Sequence, residues 1–388
     1  MKTHSAFYYP LILIVLVVSL SLAACTTAAP PQAAPPQADS TQAEAPQADA
    51  SQTEAQAEKP EAGADSLVVL DWAGYDAPHY WDSFAAQHPD VKVDYTFFEQ
   101  DADAFAKIQS GFQVDLLHPC SSWWGLYVEA GLVQPIDTAR LSNWPDVVPK
   151  MAELGQFDGQ QYFIPWEWGY ESIIVRTDKV DPLPASWADL WDPAYAGHLS
   201  IPDTAETNQL FAAIASGISD PYNTTPEEDD LIKQKLIDLK PNVLTYWTDS
   251  TELAQLIASG DVWVASNAWP DTFGTLLQDG VPVEYLKPEE GRLGWVCGYG
   301  ISSQAQDLDL AHTFLDALLV PESIANLGNE FWYGVSNQKA FELLDPEVTA
   351  MLQLDQPDIL EQTIFYQTMS ADHREKIITM WDEVKIAP

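Results

Sequence analysis

Positive charge is scarce in this sequence. Lys and Arg number 17 against 58 Asp and Glu, a formal net charge of −41 over 388 residues. A chain so acidic repels nucleic acid and anionic lipid headgroups, which excludes both as partners. Its long-range field attracts cations, although most of the charge reads as a solubilising surface. Histidine is also sparse: the 7 are scattered, and no pair has metal-ligand spacing. No Gly-x-Ser-x-Gly elbow, phosphate-binding glycine loop or His-Glu-x-x-His is present, so no catalytic residue, metal or cofactor is expected. With 58 acids, chance carboxylate pairs carry no specific signal for a glycosidase. No internal repeat occurs.

Cysteine is rare, and each of the three matters. Leu22-Ala23-Ala24-Cys25 closes an apolar run that starts at Leu11 behind Lys2 and His4. The run falls short of the ~20 apolar residues of a membrane span. A basic start, a short apolar stretch and small residues before the cleavage point read as a secretory signal. The segment resembles a bacterial lipoprotein signal, covering 1–24, with Cys25 as the lipidated N-terminus of an extracytoplasmic, membrane-tethered chain. Residues 25–65 are an Ala/Pro/Gln tract with almost no large apolar side chain. It cannot offset its ordering entropy, and reads as a disordered, extended spacer. Cys120 and Cys297 remain, an even pair in an exported protein: either a disulfide or two separate buried thiols.

About 320 residues then remain, more than one compact core holds, so two lobes are expected. Ser66–Asp71 and Val91–Phe97 read as strands, His79–His88 and Asp103–Ser110 as helices, and Val114–Leu117 as a short strand. This β-α-β-α-β order predicts a largely parallel sheet. Further on, 161–165, 172–176, 199–202, 262–266 and 281–285 read as strands. Residues 207–217, 227–239, 252–259, 311–319 and 374–384 read as helices, and Ser186–Trp191 as a capped turn.

Aromatics are plentiful: 15 Trp exceed what folding requires, so some are expected to face a ligand. Four clusters join aromatics to acids: Asp71–Tyr75, Trp166–Glu171, Tyr246–Asp249 and Asn267–Asp271, containing Trp72, Glu167, Trp247, Asp249, Trp269 and Asp271. Three of them follow expected strand ends, where open α/β sheets bind ligands. Aromatic faces and carboxylates together suit an organic cation.

From Leu67 onward the chain resembles the extracellular solute-binding proteins of ABC importers, in the spermidine/putrescine-binding group. The resemblance rests on Asp71-Trp72-x-x-Tyr75, Val114-Asp115-Leu-Leu-His-Pro119, Ile164-Pro165-x-x-Trp168-Gly169, Ser186-Trp-Ala-Asp-Leu-Trp191-Asp-Pro-x-Tyr195-x-Gly197 and Pro288-x-Glu-Gly291, in that order. It implies an α/β, two-lobed periplasmic-binding-protein (type II) fold with hinge strands and a central cleft. Lobe 1 would span 66–168 with a return at 293–335, and lobe 2 would span 169–292. C-terminal helices at 336–388 would pack mainly on lobe 2. It also implies a monomer that closes on a small molecule, docks on a membrane permease and catalyses nothing. Trp72, Tyr75, Trp269, Trp295 and Tyr333 match cleft aromatics, and Gln367 a glutamine. Ser121 and Ser122 match a hydroxyl-bearing stretch in which Trp123 replaces a tyrosine. Family carboxylates fall on Cys297, Thr204 and Thr207; Asp203, Glu206 and Glu167 are the acids placed to compensate. By the same analogy Cys120 and Cys297 line the cleft of one lobe, which favours a bridge. The implied solute is a polyamine such as putrescine or spermidine. The alternatives are a quaternary amine or a sugar, and more remotely a hydrolytic activity.

Overall fold

The computed structural model describes residues 66–388 apart from Asp355 and Pro357. The signal segment 1–24, Cys25 and the tract to residue 65 lie outside the described residues. In chain order the strands are β1 (Ser66–Trp72), β2 (Lys92–Phe98), β3 (Leu116–Leu117), β4 (Val133–Gln134), β5 (Gln156–Phe157), β6 (Gln160–Gln161), β7 (Phe163–Arg176), β8 (Leu199–Pro202), β9 (Val243–Trp247), β10 (Val264–Ala268), β11 (Val283–Tyr285), β12 (Arg292–Ser302), β13 (Gly334–Val335) and β14 (Thr363–Phe365).

The main sheet runs β2-β1-β3-β12-β7-β10-β8-β9. Its two ends are parallel: β1 with β2 and β3, and β8 with β9 and β10. Its middle is antiparallel, with β7 paired to β12 on one side and β10 on the other. The largely parallel expectation therefore holds only at the ends. Two long strands passing between the lobes make the antiparallel centre, and a motif read one lobe at a time does not show them.

Each lobe has helices on its sheet faces. Along β1, Leu67 and Val69 join a cluster with Phe84 and Phe314, while Val68 and Leu70 face Trp124 and Tyr127. This alternation is the period of two that a strand covered on both sides shows. In the second lobe Ile173 and Val175 of β7 pack with Leu199, Ile201, Phe211 and Trp381. Each such large apolar side chain contributes ~1.5–3 kcal/mol when fully buried. The C-terminal helix Ala371–Ile386 packs on helices Ala205–Ala215 and Pro226–Leu239. The acidic run Glu227–Asp230 opens the latter helix, where Thr225 and Glu228 form a reciprocal cap and the charges favour the helix dipole.

One expectation is overturned with consequences for the site. Residues 161–165 and 172–176 read as two strands separated by an aromatic–acidic loop, but β7 is one strand of 14 residues, all buried. Trp166–Glu171 thus lies within a strand rather than beyond one. Carboxylates normally mark solvent, which disguised a central strand whose acids face a buried cluster and a cleft. The expected helix at 79–88 is also broken, into a turn at Pro78–Tyr80 and a helix at Asp82–Gln87, with Trp81 non-helical between them.

Candidate ligand-binding cleft

Alternation along β7 sends Glu167, Gly169 and Glu171 to one face, opposite Trp168 and Tyr170. On β12, Trp295 pairs with Gly169. A Cβ at Gly169 would run into the Trp295 indole, so the missing side chain is what lets the ring lie on the strand. A bulge at Trp166 shifts the β7–β12 register.

Two adjoining cavities open on this face and share Trp269. The first, about 270 Å³, is lined by Gly169, Trp269, Asp271, Trp295, Phe331, Trp332, Tyr333 and Leu352, with Pro270. Trp295 and Tyr333 meet edge to face at 4.8 Å, and Phe331 stacks on Tyr333 at 5.9 Å. The second, about 190 Å³, is lined by Glu171, Pro202, Asp203, Thr204, Thr207, Trp247, Thr248 and Trp269. Trp247 and Trp269 are perpendicular, 5.5 Å apart, and Trp269 remains 41% exposed. Trp332 on the first cavity's wall and Asn267 facing Glu171 carry a left-handed backbone, at φ 60° and φ 51°. Such residues cost energy and concentrate at ligand sites. A larger groove of about 460 Å³ lies on the outer face between helices Pro226–Leu239 and Ala371–Ile386; it has no aromatic lining.

Glu171 was part of the Trp166–Glu171 cluster but was not among the residues expected to bind ligand. It is 6% exposed. Burial pushes its carboxyl up to about 8, and the polar groups of Tyr366, Asn267 and Trp269 facing it only partly oppose this. The buried amide of Asn267 has no closer partner. Among the described residues no cation pairs with Glu171. The signal that could have found it is the period-two pattern Glu-Trp-Gly-Tyr-Glu, once read as strand.

The other expected acids are already engaged. Glu167 pairs with His118 at 3.1 Å. Asp203 accepts from Trp381 at 2.8 Å and from Lys385 at 3.2 Å. Glu206 pairs with Arg374 at 2.7 Å. Asp249 is an exposed helix cap receiving the Glu252 amide, outside both cavities. Asp271 lies at the mouth of the first cavity, exposed.

The remaining candidates line neither cavity. Trp72 donates to the His118 carbonyl and packs on Phe98. Tyr75 is buried, stacked on Phe331 at 4.7 Å and edge-on to His118. Ser121, Ser122 and Trp123 form the first turn of helix Ser121–Glu129, which was not anticipated. Gln367 is exposed and lines neither cavity. Cys120, just before that helix, is disulfide-bonded to Cys297 on β12, so the bridge ties the serine turn to the strand that carries Trp295. Among the described residues no cluster of metal ligands occurs.

Behind these walls lies a buried charge network. His118 contacts Asp71 through Nδ1 at 2.7 Å and Glu167 through Nε2, while the Tyr299 hydroxyl donates to Asp71 at 2.6 Å. Burial alone would push the imidazole down; the Glu167 and Asp71 carboxylates outweigh it and push it up to about 10.

Comparison with known proteins decides the family. The bacterial extracellular solute-binding protein family matches residues 79–353. The chain belongs to that family. A spermidine/putrescine-binding periplasmic protein of Salmonella typhimurium is 28% identical over 288 residues, covering 73% of this chain and 81% of the other. The putrescine-binding periplasmic protein PotF of Escherichia coli is 25% identical over 346 residues, covering 82% and 91%. The spermidine/putrescine ABC transporter substrate-binding protein PotD of Streptococcus pneumoniae, seen in complex with calcium and HEPES, shares the two-lobed fold. Its TM-score is 0.70 at 21% identity, over 83% of this chain and 99% of that one. As a solute-binding protein the chain is a binding component of ABC transport, with a small-molecule ligand and a membrane permease as partners, and not an enzyme. Among the described residues no helix is long and apolar enough to cross a membrane.

Proposed function

We propose that this chain is the solute receptor of an ABC importer, held outside the cytoplasm, in the periplasm or at the outer face of the cell membrane, by lipid on Cys25, and that it captures a small organic cation of the amine class. The observation that carries the reading is Glu171: a buried carboxyl group without a cationic partner among the described residues, beneath Trp269 and beside an aromatic cavity. A buried acid in that state favours a ligand that brings positive charge, and aromatic faces strengthen the contact by ~0.5–2 kcal/mol each. Relatives named as spermidine/putrescine-binding and putrescine-binding proteins support taking polyamines first within that class. A quaternary amine is the second reading, favoured by the enclosure of Trp269, Trp295 and Tyr333 around one cavity.

The test is thermal unfolding of the full-length protein against putrescine, spermidine, choline and several sugars. A rise of several degrees with an amine supports the reading. A rise with sugars alone, or with nothing, removes it. Labelling cells with a radioactive fatty acid tests the anchor: label present in the wild type and absent after Cys25→Ser is expected, and label in neither refutes it.

A further inference from the structure

A second aromatic–acidic box lies next to the Glu171 cavity, and the protein fills it itself. Arg374, in the first turn of the C-terminal helix, lies over the Trp123 ring with its guanidinium carbon 4.5 Å from the centroid. Its Nη1 donates to Glu206 at 2.7 Å and its Nη2 to the Ser122 carbonyl at 2.9 Å. Asp101, which accepts the Cys120 amide at 3.0 Å, adds a second, partly buried carboxyl whose charge acts on the same group. A tryptophan face, two carboxyls and a carbonyl are the partners an organic ammonium would need.

This box adjoins the one containing Glu171. Glu206 and Thr207 are neighbours at the start of one helix; Thr207 lines the Glu171 cavity and lies 3.3 Å from the Tyr366 hydroxyl, which faces Glu171. The Glu206 and Glu171 charges also act on each other. The two boxes are therefore neighbours joined through the Glu206–Thr207 end of one helix, and one of them already holds a cation of the protein itself. The occupant is tethered: it enters from the C-terminal helix and bridges the Ser122 turn to the Glu206 helix.

We infer that Arg374 is a built-in cation occupying the far subsite, so that Glu171 anchors the solute and the receptor selects a short amine over a long triamine. The inference rests on the amine reading above. A short diamine places its ends between Glu171 and the Trp269–Asp271 mouth. A third ammonium would have to displace a guanidinium already held by Glu206 and Trp123.

The experiment is titration calorimetry of the full-length protein with putrescine and with spermidine, on the wild type, Arg374→Met and Glu171→Gln. The wild type is expected to bind putrescine at least about tenfold more tightly than spermidine. Arg374→Met should shift the spermidine-to-putrescine affinity ratio toward spermidine by about tenfold or more. Glu171→Gln should weaken both amines by about tenfold or more. A wild type that binds spermidine as tightly as putrescine overturns the inference even if Arg374→Met fails to fold, and leaves the amine reading standing. Undiminished binding in Glu171→Gln overturns the anchor. Binding of neither amine removes the amine reading, and this inference with it.

Discussion

His118 Nδ1 lies 2.7 Å from Asp71 Oδ1, and neither side chain reaches solvent. With Glu167 on the other ring nitrogen, the imidazole is a doubly donating cation between two carboxylates. The folded value of about 10 is raised above the ordinary value of about 6.5. The stability it contributes is therefore fully present below about pH 6.5 and is lost as pH rises toward about 10. His118→Asn strands two buried carboxylates and should cost about 3–5 kcal/mol at pH 6. Urea unfolding of both proteins across pH 6–10 checks this. The gap between wild type and variant should narrow as pH rises; a gap that stays constant would mean His118 is neutral in the fold.

The disulfide supports a second prediction. Cys120 and Cys297 are separated by 177 positions, so the bridge closes a long loop of the unfolded chain. Loop closure of this size is associated with ~2–4 kcal/mol of stabilisation in practice. Cys120→Ser/Cys297→Ser should unfold at lower denaturant by that amount. Because the bridge joins the serine turn to the Trp295 strand, amine affinity should also fall in the variant. Equal midpoints with and without reductant would exclude a structural role.

What the sequence made legible was local and periodic. The continuous apolar run of β1, the Ser186–Asp189 cap and the helices of the second lobe follow from nearest-neighbour chemistry. β12 was invisible for a physical reason. Gly294, Gly298 and Gly300 have little strand propensity, and they are there because a Cβ would meet Phe365, the Ile164 carbonyl and the Phe163 ring. Those contacts exist only in the assembled sheet. Arg374 read as an ordinary helical residue because its partners Glu206 and Trp123 come from distant parts of the chain. Glu171 was missed once β7 was cut in two. The aromatic candidates, by contrast, carry their signal in residue type alone.

Trp269 and Trp295 separate ligand contact from packing. Trp269 is 41% exposed and shared by both cavities, whereas Trp295 is half-buried over Gly169 and against Tyr333. Trp269→Ala should weaken amine binding by ~0.5–2 kcal/mol and leave the unfolding midpoint nearly unchanged. Trp295→Ala should lower both, because it also empties packed volume. Calorimetric titration and thermal unfolding of the two variants are the measurements. A Trp269 variant that binds normally would place the solute elsewhere.

Glu171 links binding to protons. Burial holds its carboxyl at about 8, while a primary amine, with a pKa close to that of lysine at about 10.4, stays charged across the neutral range. For the empty protein the sign is unfavourable: a raised carboxyl contributes stability below its unfolded value of about 4.3, and that contribution is lost as pH rises through about 8. A bound ammonium reverses this, because it favours the carboxylate. Below pH 8 each binding event should therefore expel a proton from Glu171. Affinity should climb with pH, by at most about tenfold per unit, and level off above 8. Tyr366, facing the same carboxyl, is pushed far above its ordinary range by burial, and the Glu206 pair with Arg374 persists, so neither supplies the proton. Titrations with putrescine in two buffers of different ionisation heat, from pH 6 to 9, measure the released proton directly. Glu171→Gln should bind more weakly and show no release; the same proton count in variant and wild type would assign the linkage to another group.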